Sequence, residues 1–401
     1  MSFPILDIPE PVVEIARRLE DAGFEAWCVG GALRDALLNE VPREYDLGST
    51  ILDLATSATP QQVQRLFRRS VPIGVKYGTV GVFDSRGVLH DVTTFRRDVA
   101  TDGRHAVVEY GASLEEDLAR RDFTINAIAY HPVRHEWRDP FNGARDLESR
   151  VVRAVGDPAQ RFREDYLRIL RAIRFAARFD FTIEPATWEA ARAAASGLRQ
   201  LSAERVRDEW SKSLSTARSI TQLVMLWVHV GAASAWIPEL EGVGGFEKAY
   251  PDPLPGSRDP VLLTALLCSD PVVVLRRLKA SNAEILRAAA LLKGPEEPGS
   301  LDELSVRRWL ARVGPAADDL SMLWALRHGG DAPWRATMAE IRRRGDPLTR
   351  SDLAVSGTDL QALGTSGPQI GETLAVLLDR VLEDPSLNTR DMLLTLARKM
   401  V

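Results

Sequence analysis

The hydrophobic pattern of this 401-residue chain changes character once, near residue 150. Before that point short apolar, strand-like segments alternate with amphipathic helical ones, and beyond it the pattern is helical for most of the remaining length. No fixed-period repeat or heptad run is present. We therefore predict an α+β fold, in which a mixed α/β head domain spans residues 1–150 and an all-α region follows.

Composition limits the classes of protein to which the chain belongs. The hydrophobic and charged fractions, 45% and 27%, are typical of a globular protein, and no apolar run approaches the length that crosses a bilayer. The N-terminus carries no visible secretory signal, and two cysteines, Cys28 and Cys268, exclude a disulfide framework. We expect a cytoplasmic protein without a membrane contact. A net charge of −5 excludes a uniformly basic surface, so any RNA contact must use local patches such as the arginines within 161–178.

A glycine pair, Gly30-Gly31, lies between a predicted strand over 26–29 and a predicted helix over 32–38. Glycines let backbone N–H groups approach a triphosphate, and the helix start favours anions. Glu44 and Asp46 follow, and carboxylates two residues apart on a strand point to the same face, where they hold divalent metal ions. An ordinary loop has the same composition, so the choice depends on the segments downstream.

Asp91 lies on the second of two predicted strands, 79–83 and 88–94, which a turn-forming segment joins. It is a candidate third acid for the Glu44 and Asp46 pair. Three converging carboxylates repel one another unless cations lie among them, so the cluster predicts bound metal and two-metal catalysis of nucleotidyl transfer.

Arg120 and Arg121 are predicted to open a short helix. Cations at a helix start are unfavourable for the helix dipole, which indicates an anionic ligand or an acidic partner. Asp122 is expected to cap this helix or to contact a ribose, and Asn126 lies one turn further on the same face.

The segment from Glu164 onward predicts an amphipathic helix, with arginines on one arc and aliphatic residues on the other. Asp165 and Arg168 are one turn apart and would present an acceptor and a donor to the edge of a base. The alternative is an ordinary helix with a charged outer face, on which Arg171, Arg174 and Arg178 are solvated.

In order and spacing these motifs resemble the class II CCA-adding tRNA nucleotidyltransferases and their poly(A) polymerase relatives, from about Trp27 to Leu214. The resemblance implies a nucleotidyltransferase-type mixed-sheet head (1–150), a helical neck for base recognition (151–214), a helical body (215–340) and a tRNA-binding helical tail (341–401). It implies catalytic, metal-binding roles for Glu44, Asp46 and Asp91. It implies nucleotide-binding roles for Gly30, Gly31, Arg34, Asp35, Arg121, Asp122, Asn126, Asp165, Arg168, Arg171 and Arg174.

The activity that this resemblance implies is addition of CCA to tRNA 3′ ends without a nucleic-acid template. The implied substrates are CTP, ATP and tRNA, with Mg²⁺ in a two-metal site and no protein partner. Residues 101–105 resemble the flexible loop that CCA-adding members need for adding A, and residues 202–206 resemble the motif that braces the base-reading helix. The alternatives are a poly(A) polymerase or a partial CC- or A-adding enzyme, and a non-catalytic RNA-binding relative.

One departure from the family pattern concerns the acids. The spacing from Gly30 selects Glu44 and Asp46, with Glu in place of the first Asp. The segment Ala58-Thr59-Pro60 instead selects Asp53, and then Ile51 stands where the first Asp belongs. The chain resembles one with a seven-residue insertion just after the acids, and both alignments remain open.

Overall fold

The structure, a computed structural model, describes residues 3–38, 53–74, 78–101, 106–241 and 258–400. Contacts divide the chain into two compact units, Met1–Lys248 and Ala249–Val401. The finer boundaries expected at residues 150, 214 and 340 remain predictions. Within the described ranges no helix is long and apolar enough to cross a membrane.

The first unit begins with the mixed α/β region that the sequence predicts. Its elements are α1 (Glu10–Asp21), β1 (Ala26–Val29), α2 (Gly31–Leu37), β2 (Asp53–Thr56), α3 (Pro60–Leu66), β3 (Ser70–Gly74), β4 (Thr79–Phe83), β5 (Leu89–Thr94), β6 (Arg96–Thr101), β7 (Ala106–Tyr110), α4 (Leu114–Ala119), a 3₁₀ turn (Thr124–Asn126), β8 (Ala129–Tyr130), β9 (Trp137–Arg138) and α5 (Gly143–Glu148). Seven strands form one sheet in the order β3-β4-β5-β2-β1-β8-β9, and β6 pairs with β7 in a separate hairpin. The β2–β5 pair is parallel and the other pairs of the large sheet are antiparallel, so the predicted mixed sheet is confirmed.

Alternation of side chains along β1 gives the sheet two apolar faces. Cys28 packs in a cluster with residues of α1 and α3, whereas Trp27 and Val29 pack in a cluster with residues of α4. β5 alternates differently, because Val92 is fully buried while Asp91 and Thr93, on the opposite face, are partly exposed. The polar face of β5 therefore remains accessible to a ligand.

The rest of the first unit is mainly helical, as the sequence predicts. Its elements are β10 (Val151–Val152), α6 (Pro158–Glu164), α7 (Leu167–Phe179), β11 (Thr182–Ile183), α8 (Pro185–Ala193), α9 (Ala203–Thr216), α10 (Ile220–Val230) and α11 (Ala232–Trp236), with 3₁₀ turns at Ala195–Gln200 and Pro238–Leu240. α9 packs along α7. Because α7 also places Phe175 and Phe179 in a core with residues of the head, it holds the helical region against the sheet domain.

The second unit is helical throughout its described residues. Its elements are α12 (Pro260–Leu267), α13 (Pro271–Arg277), α14 (Asn282–Lys293), α15 (Glu303–Val313), α16 (Ala317–His328), α17 (Arg335–Arg344), α18 (Gly357–Ala362), α19 (Pro368–Glu383) and α20 (Arg390–Arg398), with 3₁₀ turns at Gly314–Ala316, Arg350–Asp352 and Pro385–Leu387. Leu360, Leu377 and Leu393 are fully buried in a core that α18, α19 and α20 share.

Candidate active site

A cavity of about 980 Å³ in the first unit is lined by one face of the sheet and by α7 and α9. Its charged lining combines ten cations with four acids. The cations are Arg34, Arg96, Arg120, Arg121, Arg168, Arg171, Arg174, Arg178, Arg205 and Lys212, and the acids are Asp53, Asp117, Asp122 and Asp165. A chain of net charge −5 therefore concentrates positive charge at one place, which favours an anionic ligand there.

Gly30 forms the predicted turn between β1 and α2, and its φ of +91° lies in the region that favours glycine. A Cβ on Gly30 would lie 3.6 Å from Asp53 Oδ2 and 3.7 Å from Arg121 Nη1. A Cβ on Gly31 would lie 3.2 Å from Arg34 Nη2. The glycine pair thus brings a backbone turn, a carboxylate and two guanidinium groups together at the cavity wall.

Asp53 begins β2, and the parallel register, Leu54 opposite Val92, places it beside Asp91. Burial and the neighbouring Asp91 carboxylate raise the pKa of Asp53 to about 6, although Arg121 opposes the rise. Asp53 lines the cavity. The sequence-predicted Glu44 and Asp46 lie outside the described residues. Of the acids that the two alignments select, only Asp53 therefore has a described position.

Asp53 and Asp91 fit a divalent cation by the chemistry of their ligand atoms. Both supply carboxylate oxygens, the ligands that Mg²⁺ prefers, and their mutual repulsion is what a bound cation would relieve. No group of three or more His, Cys, Asp or Glu side chains suited to a metal occurs among the residues that the structure describes. A complete ligand set therefore needs another protein carboxylate, substrate phosphates or water.

Arg34 is almost fully buried and joins two other sequence-predicted site residues. Its Nε and Nη2 donate to Asp35 Oδ1 at 2.8 and 2.6 Å, and its Nη1 donates to Asn126 Oδ1 at 2.7 Å. Arg178 Nη2 donates to the other Asp35 oxygen at 3.0 Å. Burial lowers the pKa of Arg34 to about 10, against the effect of Asp35. With its guanidinium occupied in this way, Arg34 positions Asn126 at the cavity wall.

Asp122 and Asn126 extend the same network. Asn126 Nδ2 donates to Asp122 Oδ1 at 2.9 Å, and Arg171 Nε donates to Asp122 Oδ2 at 2.7 Å. Burial alone would raise the pKa of the Asp122 carboxyl group, but Arg171 and these hydrogen bonds lower that pKa to about 2. Hydrogen bonds therefore run without a gap from Arg178 of α7 through the head residues and back to Arg171 of α7.

The predicted position of Arg120 and Arg121 at a helix start is wrong. Ser113 and Glu116 form a capping box that starts α4 at Leu114, so Arg120 is the C-cap and both arginines follow the helix end. Cations are favourable there, and both arginines pair with Asp117, at 2.8 and 3.3 Å. The helix dipole therefore gives no indication of an anionic ligand at these two arginines, although both guanidinium groups do line the cavity.

Asp165 and Arg168 both line the cavity, but they do not lie on one continuous helix as predicted. α6 ends at Glu164, Asp165 has an extended φ of −157°, and α7 begins at Leu167. Arg205 Nη2 donates to Asp165 Oδ2 at 2.7 Å, whereas Arg168 Nη1 donates to Glu164 Oε2 at 2.7 Å. Each member of the predicted acceptor and donor pair is thus held by a different neighbour.

The alternative of a solvated arginine face on α7 is also wrong for its second half. Arg174 and Arg178 are 8% and 9% exposed. Arg174 pairs with Glu209 of α9, and Arg178 pairs with Asp35 of α2. Both arginines are therefore buried in ion pairs with acids of α9 and α2, and no local sequence pattern indicates pairing between such distant residues.

Sequence reasoning missed part of the cavity wall. Thr79 and Thr93 line it from the sheet, with their hydroxyl oxygens 3.0 Å apart, and Lys212 lines it from α9. The motif over 202–206 was expected to brace the base-reading helix, and this role remains a prediction. Arg205 bonds Asp165, which precedes α7, and α9 packs along α7. Helical spacing from Arg205 offered a signal for Lys212, which lies two turns further along the same face of α9.

Two protein-family models match the chain. The model described as "Poly A polymerase head domain" covers residues 26–153, and "Probable RNA and SrmB- binding site of polymerase A" covers residues 180–242. The first contains the sheet side of the cavity. The second contains α9.

One curated relative and one solved structure match over nearly the full length, and a second curated relative matches over about half of it. The CCA-adding enzyme of Limosilactobacillus fermentum is 33% identical over 98% of this chain and 97% of that protein. The CCA-adding enzyme of Streptococcus thermophilus is 45% identical in an alignment that spans 51% of this chain and 49% of that protein. The crystal structure of the Bacillus stearothermophilus CCA-adding enzyme in complex with CTP superposes with a TM-score of 0.83 at 28% identity, covering 98% of this chain and 97% of that one.

Proposed function

Because this chain belongs to the family of CCA-adding enzymes, which are tRNA nucleotidyltransferases, we propose that it adds CMP, CMP and AMP to tRNA 3′ ends from CTP and ATP without a nucleic-acid template. The observation that carries this proposal is the cavity of the first unit. Asp53 and the Gly30 turn lie on its sheet wall, and Asp165 and Arg168 lie on its helical wall. A nucleoside triphosphate needs both kinds of wall, one for its phosphates and one for its base.

The proposed reaction is an in-line displacement at the α-phosphate of the bound nucleotide. The tRNA 3′-oxygen forms a bond to the α-phosphorus and loses its proton. The bond between the α-phosphorus and the oxygen that bridges it to the β-phosphorus breaks, and pyrophosphate leaves. Asp53 and Asp91 would hold Mg²⁺, which when bound increases the acidity of the 3′-hydroxyl and neutralises charge on the departing pyrophosphate. Under the alternative alignment Glu44 and Asp46 would contribute those ligands together with Asp91.

The remaining residues bind and orient the nucleotide. We assign the triphosphate to the Gly30 turn and Arg121, which lie close together at the sheet wall. The Asp122–Arg171 pair is assigned to the ribose and phosphates. Asp165 offers an acceptor and Arg168 a donor to the base edge, and Arg205 and Glu164 fix the two side chains. A cytoplasmic location remains our prediction, because Cys28 and Cys268 are buried thiols that form no disulfide, which suits a reducing compartment.

The activity test uses tRNA that lacks its terminal CCA, with CTP and ATP supplied separately and together. We expect two C residues from CTP alone and one further A only when both nucleotides are present. Addition of C but never A would overturn full CCA addition, and long A tracts would indicate a poly(A) polymerase. Intact tRNA binding without any transfer would favour the non-catalytic relative.

Substitution of the acids tests the metal site and separates the two alignments. We expect Asp53→Asn and Asp91→Asn each to lower kcat roughly 10²- to 10³-fold and to abolish the rise in Tm that Mg²⁺ produces in the wild type. Asp180→Asn is the matched control, since Asp180 is an exposed acid whose positive φ asparagine tolerates. Loss of both properties in Glu44→Gln and Asp46→Asn, with Asp53→Asn unaffected, would reverse the assignment.

A further inference from the structure

The ten cations that line the cavity differ in how their charge is balanced. Eight arginines lie within ion-pair distance of a carboxylate, and the ninth, Arg96, also has an interaction partner. The eight are Arg34, Arg120, Arg121, Arg168, Arg171, Arg174, Arg178 and Arg205. Lys212 has no such partner among the residues that the structure describes, although it lines the same cavity. Its charge is therefore available to an external anion.

Lys212 has suitable neighbours for an anion on α9. Ser211 and Ser215 also line the cavity, and neither hydroxyl has a hydrogen-bond partner within the described ranges. The other hydroxyls of this stretch, those of Ser213 and Thr216, donate to backbone carbonyls of α9 instead. One ammonium and two hydroxyl groups with unused donors thus face the cavity from consecutive turns of one helix.

The position of Lys212 separates it from the groups already assigned. It lies seven residues beyond Arg205, which is two helical turns, or about 10 Å, along α9 from the residue that holds Asp165. The Gly30 turn and Arg121 belong to the sheet domain, not to α9. Lys212 therefore belongs to a part of the cavity wall separate from the groups assigned to the triphosphate and the base.

We propose that Lys212, with Ser211 and Ser215, forms a phosphate-binding subsite, which we name the α9 subsite. An ammonium group with adjacent hydroxyls suits phosphate oxygens, because lysine binds phosphate as a point charge and serine hydroxyls donate to the remaining oxygens. The phosphate belongs either to the backbone of the RNA 3′ strand or to the incoming nucleotide. The α9 subsite rests on the proposed function, since that function supplies both kinds of phosphate.

The experiment measures two binding constants with the full-length protein: the Kd for CTP alone and the Kd for tRNA lacking CCA, the latter between 50 and 200 mM salt. The variants are Lys212→Met, the charge-preserving Lys212→Arg, and Arg207→Met as control. Arg207 lies on the same helix, does not line the cavity, and has its charge balanced by Asp208 at 2.7 Å.

For an RNA phosphate we expect Lys212→Met to raise the tRNA Kd roughly 5- to 10-fold and to flatten the slope of log K against log salt by about 0.7 to 0.9. For a nucleotide phosphate we expect the CTP Kd to rise roughly 10-fold instead. Lys212→Arg should restore most of the affinity in either case, and Arg207→Met should leave both constants unchanged.

Unchanged Kd values for both ligands in Lys212→Met would overturn the α9 subsite. An equal loss in Arg207→Met would also overturn it, because the effect would then come from general charge. Both readouts are binding constants, so they test the α9 subsite even if the wild-type protein transfers no nucleotide. Absence of nucleotide transfer by the wild type would refute the proposed function and leave the test of the α9 subsite in force.

Discussion

Asp53 is a carboxyl group whose environment opposes its own ionisation. It is partly buried beside Asp91, and Arg121 offsets only part of the resulting rise in pKa. A folded protein retains such a residue at a cost in stability when the residue serves a ligand. That cost is measurable in metal-free protein.

Between pH 4 and 7 we expect the ionisation of Asp53 to destabilise the metal-free fold. The pKa of Asp53 is about 6 in the folded state and about 3.9 in the unfolded chain, so the folded state binds the proton more tightly. The stability that the bound proton gives to the folded state is lost as the pH rises through 6. With EDTA present, Asp53→Asn should have a free energy of unfolding higher than that of the wild type by up to about 3 kcal/mol at pH 7.5 and about equal to it at pH 4. Urea unfolding at the two pH values measures this difference, and a variant equally stable to the wild type at pH 7.5 would contradict the assigned pKa.

Asp35 is a buried carboxylate between two buried arginines. Its oxygens accept from Arg34 at 2.6 Å and from Arg178 at 3.0 Å. Removing the carboxylate in Asp35→Ala leaves both guanidinium groups buried with too few acceptors, and we expect a loss of roughly 3–5 kcal/mol in urea unfolding. Glu136→Ala is the control, because that glutamate forms exposed ion pairs and should cost less than about 1 kcal/mol. Equal losses in the two variants would contradict the buried network.

At the scale of secondary structure, α5 meets the 3₁₀ turn Thr124–Asn126 through a glycine. A Cβ on Gly143 would lie 2.1 Å from the Thr124 carbonyl oxygen, and neither backbone segment can yield as a side chain would. The close approach fixes the turn that carries Asn126, which bonds both Arg34 and Asp122.

Gly143→Ala should therefore displace that turn, lower the free energy of unfolding by roughly 1–3 kcal/mol and reduce kcat/KM for CTP addition. Gly299→Ala is the matched control, because a Cβ there would meet nothing within 4 Å and its φ is ordinary. Thermal unfolding and single-turnover kinetics measure the two effects. Full activity in Gly143→Ala would show that the turn is not needed to hold the site.

The secondary structure also shows where local patterns succeed and where they fail. Strand β1 matches its prediction, and both ends of α2 lie within one residue of the predicted helix over 32–38, because apolar spacing and glycine are local signals. The break between α6 and α7 carries no proline or glycine, and Asp165 at that break bonds Arg205, 40 residues away. A partner so distant in sequence leaves no trace in a local pattern.

At the scale of the whole molecule, charge is distributed unevenly: a chain of net charge −5 lines one cavity with ten cations and four acids. We expect tRNA binding to depend strongly on salt in spite of the acidic total, because released counterions report local phosphate contacts. Raising salt from 50 to 200 mM should weaken tRNA binding roughly 10-fold or more, as filter binding would measure. An affinity that does not change with salt would contradict a role for the cavity in RNA binding.

The sequence by itself determined the α+β fold, the glycine turn at Gly30 and the identity of most residues around the cavity, because these depend on neighbours in the chain and on motif spacing. Only the tertiary structure decided that Asp53 lies beside Asp91 and that Arg120 and Arg121 follow the end of α4. It also decided that Arg174 and Arg178 are buried against acids of α9 and α2. Strand register and ion pairing between distant elements follow from packing, and packing is a property of the folded chain, not of any one segment.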